Sequence, residues 1–157
     1  MSLQLAQNLS TNPTIARLQR GYAALFALVD DFPEARRDRP GACGEWSPRQ
    51  TLAHLSGWLV EAAERFTAIR RGDRTNKQYD RDGDHAGFNH ASVKARAGLS
   101  WEETVAELRQ AFDAFIAVAD TVPAEDVHNE PRYVEWLDFL WAECVAHMGQ
   151  LSRFALE

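Results

Sequence analysis

A chain of 157 residues with 45% hydrophobic and 25% charged side chains can bury a core of its own without metal or disulfide support, and this balance excludes a disordered or membrane-embedded chain. A net charge of -6 argues against a dedicated nucleic-acid surface, because phosphate binding needs a basic face that releases counterions. Only two cysteines occur, Cys43 and Cys144, so no disulfide framework is indicated and a reducing cytoplasm fits best.

The N-terminal MSLQLAQNLSTNP lacks a basic stretch followed by an apolar run. No later segment stays apolar for the roughly 18 residues that a membrane span requires, so the expectation is a cytoplasmic protein with no membrane partner. Thr11, Asn12 and Pro13 form a helix start, and Ile15, Leu18, Tyr22, Leu25 and Val29 recur at three and four until Asp31, Phe32 and Pro33 stop the pattern. Ser47, Pro48 and Gln50 form a capping box with proline at the first helical position. Leu52, Leu55, Leu59, Phe66 and Ile69 then keep the helical period, with Gly72 as the C-terminal cap.

Residues 73 to 87, DRTNKQYDRDGDHAG, carry turn residues and almost no apolar periodicity, which predicts a long loop; a short helix over residues 88 to 97 follows, ending at Gly98. Ser100 and Glu103 make a second capping box, from which Trp101, Val105, Leu108, Phe112, Phe115 and Ala119 carry a stripe to about Thr121 before Pro123 breaks it. A last helix runs from about Pro131 to Ala155 with Leu137, Leu140, Cys144, Leu151 and Phe154 inward. No alternating strand pattern, internal repeat or low-complexity tract is visible. The expected fold is all-α: one domain, a four-helix bundle with a short extra helix and a long loop between the second and third long helices. The basic cluster of Arg65, Arg70, Arg71 and Arg74 reads as a solvated helix end.

Polar residues on the inner faces carry the functional question. Glu143 and His147 are four apart on the last helix, hence on one face, and that face is the apolar one. On the second helix His54 borders the inward stripe beside Leu55. An unpaired buried carboxylate is costly, which leaves three arrangements. The helix can be rotated so that Glu143 reaches solvent; Glu143 can pair with a buried histidine or arginine; or His54, Glu143 and His147 can converge on a divalent metal. Two imidazoles and a carboxylate are a normal set for zinc, iron, nickel or manganese. From spacing alone, the ion-paired core is the simpler reading.

Around these residues, His85 and His90 read as solvent-exposed, Cys144 as a small core cysteine, and the tryptophans, Trp46, Trp58, Trp101, Trp136 and Trp141, as packing. Asn89 and Tyr79 are candidates for a pocket mouth. No glycine-rich phosphate loop, serine nucleophile elbow or paired C-x-x-C motif is present.

GEWSPRQTLAHLSGW, residues 44 to 58, resembles the opening of the second helix in the DinB-like superfamily, whose W-S-x-x-x-x-x-x-H pattern ends on a metal-ligating histidine; here it falls on Trp46, Ser47 and His54. AHMGQL, residues 146 to 151, resembles the H-R-G-Q-L signature that closes that superfamily's last helix. FNHASVKARAGLSWEETVAELRQAFDAF, residues 88 to 115, resembles the branch containing the ClbS and DfsB proteins. Typical metal-binding members read H-x-x-x-H on the last helix, and this chain has Glu143 at the first histidine's place. A His, Glu, His set is similar to that of the thiol-dependent maleylpyruvate isomerase group, which keeps its metal.

The first resemblance implies a divalent metal, zinc or nickel foremost, on His54, Glu143 and His147. It also implies a low-molecular-weight thiol as co-substrate in an S-transferase or hydrolase reaction on a small electrophile. The ClbS-like resemblance implies instead a metal-free protective protein that binds or hydrolyses a reactive metabolite. A non-catalytic, ligand-binding bundle is the third reading. All three carry a small-molecule ligand and, from the superfamily, a homodimer.

Overall fold

The computed structural model describes residues 9–75, 77, 79, 80, 83 and 85–157. Among these, six α-helices and no strand occur: α1 (Pro13–Asp30), α2 (Pro48–Arg70), α3 (Ala86–Ala95), α4 (Trp101–Ala119), α5 (Ala124–Asn129) and α6 (Pro131–Leu156), with a 3-10 turn at Glu34–Arg36. The four long helices are the ones the apolar stripes predict. Their starts follow local chemistry. The Asn12 side chain accepts from the Thr14 and Ile15 amides ahead of α1. Ser47–Gln50 and Ser100–Glu103 both close reciprocal capping boxes. Gly72 takes the left-handed conformation at φ 79° that ends α2.

Side-chain contacts fix the topology. Phe66 meets Phe115 and Arg49 reaches the Leu99 carbonyl, so α2 and α4 run parallel. Tyr22 stacks on Phe112 while Phe32 packs on Trp101, so α1 and α4 are antiparallel. Phe139 meets Trp58 and Tyr133 meets Phe66, so α6 is antiparallel to α2. A parallel α2–α4 pair demands a long return, and residues 71–100 supply it, carrying α3 back along α2. At Gly57 a Cβ would fall inside the Ser92 side chain, so glycine is what lets α3 lie this close to α2.

The core is mainly apolar, with Leu18, Leu25, Leu52, Leu59, Leu108, Phe115, Leu137 and Leu151 fully buried. Three expectations change. The short helix begins at Ala86, two residues early, and ends at Ala95. Helix α5 was not foreseen, because it has six residues and buries only Val127. Arg65 is not a solvated helix end: it is 6% exposed, while Arg70, Arg71 and Arg74 are exposed. Part of the predicted 73–87 loop lies outside the described residues. Its Tyr79 is buried in the core, against the absence of apolar pattern there. No helix among the described residues is long and apolar enough to cross a membrane.

Candidate metal centre

Helix α2 places His54 two turns past its capping box, 2% exposed, its ring 5.1 Å from that of Trp46. Helix α6 presents Glu143 and His147 to it from the opposite side. His54 Nε2 lies 2.8 Å from Glu143 Oε2 and 3.1 Å from His147 Nε2, and His147 Nε2 lies 3.2 Å from Glu143 Oε2. Three nitrogen and oxygen atoms from two antiparallel helices thus form one small triangle. The expectation that Glu143 sits amid a buried face needs correcting. Its side chain is 29% exposed and neighbours the exposed Ala142, Val145 and Ala146, so the triangle lies at the edge of the core with one vertex open to solvent.

The proton inventory explains what such a triangle favours. Gln150 Oε1 is a carbonyl oxygen and can only accept, so His147 Nδ1 donates to it at 2.7 Å, and in the neutral ring Nε2 is left with its lone pair pointing into the triangle. His54 Nδ1 is buried with no partner among the described residues. A bare nitrogen costs less there than an N–H, so the ring's proton belongs on Nε2, donated to Glu143. Neutral rings therefore leave a carboxylate and two imidazole nitrogens sharing one proton. A further positive charge, a proton or a cation, relieves the arrangement. Burial raises the Glu143 carboxyl, but hydrogen bonding to His147 and His54, together with the positive charge those rings carry when protonated, outweighs it and brings it down to about 2. Glu143 is an anion at neutral pH.

The residues fit a metal in size as well as in donor type. Bonds of about 2.0–2.2 Å to one ion put neighbouring ligand atoms about 2.8–3.1 Å apart in an octahedral sphere and about 3.3–3.6 Å apart in a tetrahedral one. The sides of 2.8, 3.1 and 3.2 Å match one face of such a sphere. Among the described residues these three form the group with ligand atoms close enough to hold an ion. Two imidazoles with one carboxylate suit zinc and nickel, and also iron, and leave coordination positions free.

Beside the triangle lies a cavity of about 320 Å³ whose walls include Trp58, Tyr79, His85, Trp136 and Phe139. Trp58 is one turn beyond His54 on α2 and Phe139 one turn before Glu143 on α6, so cavity and triangle are about 6 Å apart along the same interhelical groove. Trp58 Nε1 donates to Asn89 Oδ1 at 2.8 Å, which ties α3 to the cavity floor. The Tyr79 hydroxyl donates to Glu61 Oε1; burial and then that carboxylate push the phenol up, so it stays protonated.

Other candidates fall elsewhere. His85 is exposed and borders the cavity, its ring 5.2 Å from Trp58, and His90 is exposed against Trp46; neither joins the triangle. Cys144 is fully buried and burial pushes its thiol up to about 12, as a core cysteine requires. Burial also raises the Cys43 thiol, over a lowering from Gln150, so no activated thiolate stands beside the triangle. Sequence reasoning missed Gln150 and Arg65. Gln150 was findable, because it stands three residues after His147 on the same face.

A family model described as the DinB superfamily matches residues 17–151, a span that reaches all four long helices and includes the three triangle residues. No match was found among curated proteins or among solved structures.

Proposed function

This chain belongs to the DinB superfamily, and from that premise we propose that it is a divalent-metal enzyme holding zinc or nickel on His54, Glu143 and His147. It would transfer a low-molecular-weight thiol to, or hydrolyse, a small electrophile seated in the adjoining cavity. The observation that carries this reading is the triangle itself: three ligand atoms within 3.2 Å of one another, of which one is an anionic oxygen. A bound divalent ion there would supply Lewis acidity, lowering the pKa of a thiol or water brought to it.

The chain's own groups do the rest. Gln150 holds the His147 ring with Nε2 toward the site. Trp46 and the α2 backbone hold His54 by packing. Glu143, the vertex exposed to solvent, contributes the anionic ligand on the side from which a thiol or water enters, and the aromatic walls of the cavity seat the electrophile. A small-molecule substrate and a homodimer belong to the same proposal, on the strength of the family resemblance.

The test is turnover of two model reactions by zinc- and nickel-loaded protein: conjugation of N-acetylcysteine to chlorodinitrobenzene, and hydrolysis of nitrophenyl acetate. Metal-dependent turnover that disappears in His147→Ala supports the reading. Turnover of either probe that is indifferent to metal and to His147 contradicts it, and favours the metal-free protective chemistry of the ClbS-like resemblance.

A further inference from the structure

Arg65 is the charged residue least explained by the fold. It lies on α2, two turns beyond Trp58, with 6% of its surface exposed, and it borders the aromatic cavity. Its Nη1 donates to the Thr75 carbonyl at 2.8 Å. Its other edge, the fork formed by Nε and Nη2, is barely used. Nη2 faces Asp80 Oδ2 at 3.5 Å, and Nε is buried with no partner among the described residues. A buried guanidinium N–H left unpaired is costly, and a fork of two parallel N–H groups matches a planar carboxylate.

The other cation at the rim offers no such vacancy. Arg132 donates to both Glu130 oxygens, at 2.9 and 3.1 Å, and to the Asp73 carbonyl at 3.0 Å. Asp80 is a weak occupant of the Arg65 fork. It reaches one of the two nitrogens, at long range, and its Oδ2 also accepts from the Lys77 amide at 2.9 Å. The same cavity is lined by flat rings. Trp58 and Phe139 stand edge-on at 4.9 Å, with Trp136 5.7 Å from Phe139.

We propose that this cavity is a binding site for a planar aromatic carboxylate, its body against Trp58, Trp136 and Phe139 and its carboxylate on the Arg65 Nε–Nη2 fork in place of Asp80. The inference names the substrate class for the proposed function and rests on that reading for its role in catalysis; the binding itself does not depend on the triangle. Recognition then has two parts of different chemistry. Ring burial supplies most of the affinity, and the fork rejects neutral analogues, since only a carboxylate satisfies both N–H groups without leaving one unpaired.

Isothermal titration calorimetry with naphthoate and its neutral isostere naphthamide tests this. The parent is expected to bind naphthoate about tenfold more tightly than naphthamide. Arg65→Gln is expected to lose that preference while keeping the amide. Asp80→Asn, at a rim position that leaves the core intact, is expected to tighten naphthoate severalfold by removing the competing carboxylate, with naphthamide unchanged. The preference is expected to persist in His147→Ala, which separates this site from the metal centre. Equal binding of the two probes by the parent, no tightening in Asp80→Asn, or a preference that vanishes with His147 would each overturn the proposal. A protein that binds no metal yet keeps the preference would sink the proposed function and leave this site standing.

Discussion

His147 reaches the triangle through Nε2 because its Nδ1–H is donated to Gln150 Oε1 at 2.7 Å, whereas His54 Nδ1 meets no described partner and that ring is oriented by packing against Trp46. The two ligands are therefore held by different means, and the difference can be measured. Gln150→Leu removes the acceptor, frees the His147 tautomer and leaves a packed helix. Zinc affinity should fall about 10–100-fold, the usual cost of losing a ligand's orienting hydrogen bond, in a competition titration against a chromophoric chelator. An unchanged affinity would mean that His147 does not ligate through Nε2. At this scale the sequence showed much: the i, i+4 pair of Glu143 and His147 and the histidine beside the α2 stripe are one-dimensional signals. It could not show that Glu143 is partly exposed, because neighbouring helices decide which way a residue at the border of an apolar stripe turns. Nor could it show Arg65 inside, since its cluster of arginines looks the same from sequence whether or not one of them turns toward a cavity.

Helix α3 packs closely on α2 where Gly57 meets Ser92, and the Trp58–Asn89 hydrogen bond sits beside that contact. Adding one methyl group should push α3 outward and loosen the cavity wall. Gly57→Ala is expected to cost about 1–3 kcal/mol in urea unfolding, the range for overpacking a tight contact, and Ser92→Gly in the same chain should recover most of it. A Gly57→Ala variant as stable as the parent would show that α3 is not seated against α2 in this way. The long helices were legible because each has a periodic apolar stripe and a local start signal. Helix α5 was not, having six residues and one buried side chain, Val127. The burial of Tyr79 was equally hidden, because one aromatic residue in a polar segment makes no period, and its anchor, Glu61, is remote in sequence.

Across the whole molecule, the parallel pairing of α2 with α4 forces the long return that carries α3, Tyr79 and Asp80 against the α2–α6 groove, so the fold itself puts aromatic walls next to the triangle and a buried arginine farther along α2. The triangle joins α2 to α6, residues 89 positions apart in the chain, and an ion there would bind the folded protein far better than the unfolded one. The catalytic role proposed for the groove rests on that ion, whereas carboxylate binding at Arg65 does not. The most direct measurement is elemental mass spectrometry of protein purified without a histidine tag or chelator, beside Glu143→Ala and His147→Ala. Stoichiometric metal in the parent, lost from both variants, is the predicted result. A parent that stays empty after incubation with zinc, nickel, iron and manganese would contradict the account and leave Glu143 as a hydrogen-bonded carboxylate between two histidines.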